Sequence, residues 1–170
     1  MEDECDETKT CVLNCDINAD AIDKVIEASI GAQDLRLLIR SEGGDTDCMF
    51  AIIDYLAEMR DDGHVETVSI GEVASAAVII AASGSQGRRL AYRHCLFAMH
   101  EPFLSGNQED PAVARDNYDG LVLARDMYYQ LLEELTGRNQ HLWRCDLERR
   151  SLVWLTPMQA QNLGIIDTII

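Results

Sequence analysis

The sequence predicts a single α/β domain, and three observations predict it. Short apolar strands alternate with amphipathic helices, one very long helical pattern covers 111–136, and no change of composition divides the chain. With 170 residues, 47% of them hydrophobic, the chain can build one substantial core and is too short for two ordinary domains.

The elements follow in order. Acidic residues crowd the start (Glu2, Asp3, Glu4, Asp6, Glu7) without aromatic or branched apolar neighbours, so residues 1–10 are expected to be a disordered tip and 11–170 the domain. Residues 18–30 place Ile22, Val25, Ile26 and Ile30 at helical spacing after an Asn18 cap. LRLLI (35–39) is short and continuous, the pattern of a strand buried on both faces, and SEGGDTD follows as a glycine turn. Met49, Ile52, Ile53 and Leu56 then share one face of a second helix. VETVSI (65–70) reads as a strand, ASAAVIIAAS as a buried helix stopped by Gly84, and CLFAM (95–99) as another strand. From Pro111 to Thr136 the helix would span roughly 39 Å, longer than a domain of this size is wide, so it is expected to project and pack against another copy. Thr156 and Pro157 suit a cap and first helical position, Gly164 suits a stop, and IIDTII suits a closing strand. Parallel strands joined by right-handed crossovers are expected throughout.

Charge and composition remove whole classes of function. The formal net charge of −16, from 14 basic and 30 acidic residues, would repel a phosphate backbone, so nucleic acid is not an expected partner. No apolar run reaches the ~20 residues of a membrane helix, and the acidic N-terminus is unlike a signal peptide, so a cytoplasmic location is expected. Cys5, Cys11, Cys15, Cys48, Cys95 and Cys145 form no C-x-x-C pair and no zinc-finger spacing with histidine. They read as reduced, structural thiols, with no metal and no cofactor expected.

Ser75 stands where the strand-like half of 65–84 meets the helix-like half. A serine there is ordinarily an N-cap. The same place favours a nucleophile, because its oxygen sits at the sheet edge and the amide of Ala76 points where an acyl oxyanion would form. Position alone leaves both readings open. A nucleophile needs a base, and of the four histidines His64, His94 and His141 lie in polar stretches. His100 directly follows a strand, on the end of the sheet where α/β proteins carry their sites. Lys9 and Lys24, the only lysines, lie far upstream. Gly43 and Gly44 supply a turn, or else a bare backbone edge on which a peptide could pair.

SEGG (41–44), GEVASAA (71–77) and MHEP (99–102), followed by a long helix and WLTPMQAQNLGIID (154–167), together resemble the proteolytic subunit of the Clp protease, the ClpP family of self-compartmentalised serine peptidases. The similarity covers roughly 11–170. It implies the ClpP/crotonase-like spiral of β-β-α units with a protruding handle helix, Ser75 as nucleophile and His100 as base. It also implies the amides of Gly43 and Ala76 as oxyanion hole, and substrate added as a strand along Gly43–Gly44 and the segment after His100. As partners it implies polypeptide substrates, stacked seven-membered rings forming a homo-oligomeric tetradecamer or a hetero-oligomer with related subunits, and an AAA+ unfoldase to feed them.

The departures from that family pattern are specific. Its third triad member is an aspartate before the final cap. Counting back places Leu152 there, or Arg150 with a one-residue insertion, and the nearest carboxylates are Glu148 and Asp146, so the third member is unknown. Glu42 replaces the turn proline, and the N-terminus is short and acidic where the family forms axial loops, as in a divergent viral or organellar relative. Two other readings compete with the peptidase: a weakly active or inactive structural ring subunit, and an acyl-CoA enzyme of the crotonase type. The latter would not explain a serine and a histidine at these two positions.

Overall fold

The computed structural model describes residues 8–104 and 110–170. The strands are β1 (Thr8–Leu13), β2 (Asp34–Ser41), β3 (His64–Ala74), β4 (Arg89–Ala91), β5 (Leu96–Met99), β6 (Val153–Leu155) and β7 (Thr168–Ile169). The helices are α1 (Ala19–Ser29), α2 (Thr46–Asp62), α3 (Ala76–Ala82), α4 (Pro111–Thr136), α5 (Gln140–Leu147) and α6 (Pro157–Asn162). One sheet has the order β1-β2-β3-β4-β7, with β5 beside β3 and β6 beside β5. All pairs are parallel except β5–β6, which is antiparallel, so the expectation of a wholly parallel sheet is corrected at that edge.

The acidic tip also needs correcting. β1 begins at Thr8, so residues 8–10 are strand, paired in register from Thr8↔Asp34 to Leu13↔Ile39, while 1–7 lie outside the described residues. β2 is buried on one face only: Leu35, Leu37 and Ile39 are fully buried and the alternate residues are not, so a continuous apolar run here has period-two burial. In α1 the Asn18 side chain accepts from the Ala21 amide as expected, but the buried face is Ala21, Val25 and Ser29. Ile26 and Ile30 are exposed, whereas Val25 is buried and Ile22 packs on the core as expected. α2 buries Met49, Ile52, Ile53 and Leu56, as its spacing predicts.

β3 is the strand that shapes the site. Its first part pairs with β4 at Thr67–Ser69 and its last part with β5 at Glu72–Ala74, so one edge serves two neighbours in succession. Between them, the register against β2 shifts from Ile39↔Ser69 to Ser41↔Val73. Gly71 stands in that interval with φ +67, a backbone conformation that glycine adopts without steric cost. The bend carries the end of β3 toward β5. α3, buried along its whole length, then descends into the core.

The long helix begins at Pro111, with the Asp110 side chain accepting from the amides of Ala112 and Val113, and ends at a left-handed Gly137. Its buried residues, Tyr128, Tyr129 and Leu132, all lie in the second half, whereas Val113, Tyr118, Val122, Leu123 and Met127 remain exposed. Thr156 makes a full capping box with Gln159 at the start of α6.

One buried ion pair holds the far end of the molecule together. Arg89 in β4 pairs with Asp167, 2.5 Å away, and donates to the carbonyls of Leu135 and Gly164, each at 2.8 Å. The amides of Gly87 and Arg89 also reach Asp167. Burial alone would push the Asp167 carboxyl up, but the hydrogen bonds and charge of Arg89 hold it below its ordinary value. A depressed native pKa contributes stability above the unfolded value, and that contribution is lost as pH falls through the native one. Asp167→Asn is therefore expected to cost about 3 kcal/mol near neutrality, since it strands a mostly buried guanidinium. Denaturant titrations across pH should show the gap between wild type and variant closing below the ordinary carboxylate range.

Candidate functional site

Ser75 links β3 to α3 with φ +52 and ψ −127, the one non-glycine residue with positive φ among the described residues. Two main-chain bonds enforce this conformation. Its amide donates to the Ala98 carbonyl on β5 at 2.7 Å, and its own carbonyl accepts from the Val78 amide at 3.0 Å. The side chain makes no capping hydrogen bond, although Ser75 occupies the N-cap position. The capping reading therefore fails: the residue carries a strained backbone and its hydroxyl does none of the cap's work.

The glycine turn closes against it. A Cβ on Gly43, whose φ is +102, would lie 2.5 Å from the Ser75 Cβ and 2.8 Å from the Ala74 carbonyl oxygen, so only glycine fits. On its other side the turn is paired with Ile17, whose amide donates to the Gly43 carbonyl and whose carbonyl accepts from the Asp45 amide, each at 2.8 Å. Alternation along an extended chain then turns the N–H and C=O of Gly44 to the opposite edge, and Gly44 lines the cavity in front of Ser75. The Gly43 amide donates to Ser41 Oγ at 3.2 Å, and that hydroxyl donates to the Cys15 carbonyl at 2.6 Å. The Ala76 amide is the first of α3 and has no acceptor within the helix.

His100 follows β5 and shares with Ser75 a cavity of about 330 Å³ that also takes in Glu42, Asp45, Met49 and Phe103. Among the described residues no hydrogen bond joins His100 to Ser75. The imidazole Nδ1 lies 2.8 Å from the Glu101 carbonyl, and the ring leans on Phe103 with centroids 5.2 Å apart. His64, His94 and His141 are exposed, as their polar surroundings predict.

The β5–β6 register bears on the missing aspartate. Met99 is paired with Val153 in an antiparallel ladder, so one further step sets Leu152, and not Arg150, across from His100. Asp146 is paired with Arg138 at 2.7 Å and Glu148 lies 4.0 Å from Arg144, and neither lines the cavity that His100 shares with Ser75. The residues that do surround the histidine segment went unnoticed in the sequence. Tyr128 Oη donates to the His100 carbonyl at 3.3 Å, Tyr129 Oη to Glu101 Oε1 at 2.5 Å, and Arg125 Nε to the Pro102 carbonyl at 3.0 Å. Burial first, and Glu101 after it, push both phenols far above their ordinary range, so they stay protonated donors. Their signal was a pair of adjacent tyrosines in a helix otherwise rich in charge, with a glutamate directly after the candidate base. Of the segment after His100 proposed to border substrate, 101–104 has no regular structure and 105–109 lies outside the described residues.

Because the hydroxyl of Ser75 caps nothing, Ser75→Ala is expected to leave the melting temperature within a few degrees of wild type. Ser75→Gly should raise stability by about 1 kcal/mol or more, by relieving the left-handed conformation. Thermal melts of the three proteins check both, and a large loss in the alanine variant would restore the capping reading.

Comparison with known proteins places the geometry in a family. The family model for Clp protease matches residues 10–170. The "ATP-dependent Clp protease proteolytic subunit 2" of Mycobacterium tuberculosis (strain ATCC 25618 / H37Rv) is 30% identical over 153 residues, covering 86% of this chain and 67% of the relative. Subunit 1 of Rhodococcus jostii is 30% identical over 146 residues, covering 86% and 64%, and subunit 1 of Thermobifida fusca 29% over 138 residues, covering 81% and 60%. The chain thus spans about two thirds of the length of these relatives, or slightly less. The acyl-CoA reading gives way, and the chain belongs to the Clp protease family.

Proposed function

We propose that this chain is a serine endopeptidase of the ClpP type, cleaving short or unfolded polypeptides inside an oligomeric chamber. The observation that carries the reading is the conformation of Ser75: left-handed, with a hydroxyl free of any capping role, in one cavity with His100. Both family membership and site geometry support it.

The chemistry would run in two halves. His100 Nε2 takes the Ser75 proton as Oγ attacks the scissile carbonyl, and the oxyanion is received by the amides of Ala76 and Gly43. The Gly43 amide has to leave Ser41 Oγ for this, and a 3.2 Å bond is a weak one to exchange. The C–N bond then breaks as His100 returns the proton to the departing amine. In the second half water attacks the acyl ester, His100 takes its proton, and Ser75 regains a proton as the acid leaves. A substrate strand would pair with the free edge of Gly44. Glu42 and Asp45 line the cavity and would disfavour acidic peptides there. No nucleotide-binding G-x-x-x-x-G-K-[ST] occurs in the chain, so ATP-driven unfolding would come from a separate AAA+ partner.

In this reading α4 is the handle, and its exposed apolar side chains would be covered by another ring in a stacked assembly of heptamers, homomeric or mixed with related subunits. No helix among the described residues is long and apolar enough to cross a membrane, and a cytoplasmic setting is proposed with the rest. A second reading, a ring subunit with little or no activity, is supported by one specific observation: the β5–β6 register runs on from Met99↔Val153 toward Leu152, which carries no carboxylate.

Turnover of a fluorogenic short peptide with an uncharged aromatic or aliphatic P1 residue separates the two readings. Wild type should cleave it and Ser75→Ala should lose at least ~10³ of the rate, as expected on removing a triad nucleophile. No turnover by either protein, with rings confirmed by light scattering, would favour the structural subunit.

A further inference from the structure

We propose that the main-chain carbonyl of Glu101 takes the place of the missing triad aspartate, and that Tyr129 and Arg125 on α4 are the positioning residues that hold it there. The proposal rests on the serine-peptidase reading for its catalytic meaning, though its structural core can be tested without turnover.

The third member of a serine triad has two tasks: to fix the imidazole in the tautomer whose Nε2 lone pair faces the nucleophile, and to stabilise the imidazolium that forms. A carbonyl oxygen only accepts. With the Glu101 carbonyl 2.8 Å from Nδ1, the neutral ring must carry its proton on Nδ1, which leaves Nε2 free as a base. The first task is therefore met in full. The second is met by a dipole and not a charge, so the rate should fall below that of a full triad but well above that of a ring in the wrong tautomer. The residue that the β5–β6 register brings opposite His100 is Leu152, whose side chain offers no competing acceptor.

The carbonyl is held in place. Glu101 precedes proline, which confines its ψ to the extended range and so limits where its carbonyl can point. Its carboxylate is fixed at both oxygens, by Tyr129 Oη at 2.5 Å and by the Arg125 guanidinium at 3.5 Å. Arg125 also bonds the Pro102 carbonyl, and Tyr128 the carbonyl of His100. Tyr129 is itself fully buried, with the Arg144 guanidinium stacked 4.4 Å from its ring centre. One helix thus binds the main-chain carbonyls of His100 and Pro102 and the side-chain carboxylate of Glu101 between them, which leaves the Glu101 carbonyl to His100.

The test begins with histidine-labelled Ser75→Ala protein and the nitrogen shifts of its imidazoles, with His100 assigned by its loss in His100→Gln. A neutral His100 protonated on Nδ1, turning to a tautomer mixture in Glu101→Ala but not in Glu101→Gln, is expected. A ring protonated on Nε2 would overturn the proposal whatever the peptidase assay shows. Turnover supplies the second arm. Tyr129→Phe should lower kcat about tenfold with KM unchanged, and this loss should vanish in a Leu152→Asp background, where a carboxylate would take over Nδ1. Leu152→Asp alone should raise kcat by roughly 10- to 100-fold. A rise approaching the ~10⁴ that separates a correct from a wrong tautomer would mean that the wild-type ring was never oriented, and the carbonyl would be excluded from the role.

Discussion

Everything at the site depends on how closely two backbones approach at Gly43 and Ser75. The left-handed serine cannot relax, because its amide is bound to Ala98 and its Cβ faces a glycine with no room for a side chain. That glycine cannot retreat, since its carbonyl and the following Asp45 amide are paired with Ile17. Three consecutive main-chain contacts, from Ile17 through the glycine turn to Ser75 and on to β5, therefore set the distance between the ends of four elements. Strain at Ser75 is sustained by that chain of contacts, in the way strained residues generally persist only where their surroundings over-determine them. The bend of β3 at Gly71 serves the same arrangement by swinging the strand's last residues onto β5.

α4 supplies the other half of the frame. Its second half is tethered twice, to the histidine segment through Tyr128 and Tyr129, and to the Arg89–Asp167 pair through the Leu135 carbonyl. The tethers are six residues apart, about 9 Å along the axis. A helix held at two such points transmits little rotation to the segment it supports, whereas its first half, without a fully buried side chain among its described residues, is free to serve other contacts. Electrostatics and packing cooperate here: burial keeps both phenols neutral, so Tyr129 can donate to the Glu101 carboxylate and Tyr128 to the His100 carbonyl, while Arg125 lies 3.5 Å from the other Glu101 oxygen.

Much of this was legible in the sequence, for identifiable reasons. The bounds of α4 follow from Pro111 and Gly137, and the capping box of α6 from Thr156-Pro157, because caps and breakers are local signals. Ser75 and His100 could be singled out because both sit at junctions where a strand stops. The burial of β2 was misjudged, since a run of apolar residues does not say which alternate face is covered. The face of α1 was read only in part: Val25 is buried and Ile22 packs on the core as expected, but Ala21 and Ser29 are buried where Ile26 and Ile30 were expected. β1 was missed because TKTCVL is half polar and is strand only through its partner β2. The Glu101–Tyr129–Arg125 cluster left only a faint signal, for Glu101 lies 28 residues from Tyr129 in sequence and the two meet only in the folded chain.

The absent aspartate and the retained strain point in opposite directions, and magnitudes decide between them. A subunit that only filled a place in a ring would have nothing to set against about 1–3 kcal/mol of unfavourable backbone at position 75, nor any reason to leave a hydroxyl there unbonded. Loss of a carboxylate in the triad matters chiefly when it leaves the imidazole in the wrong tautomer, and an acceptor of any charge prevents that. What a neutral acceptor forfeits is stabilisation of the imidazolium during proton transfer, a smaller share of the whole because the oxyanion donors act independently of it. Under the proposed serine-peptidase reading, a neutral acceptor therefore slows the site without abolishing the geometry that proton transfer needs.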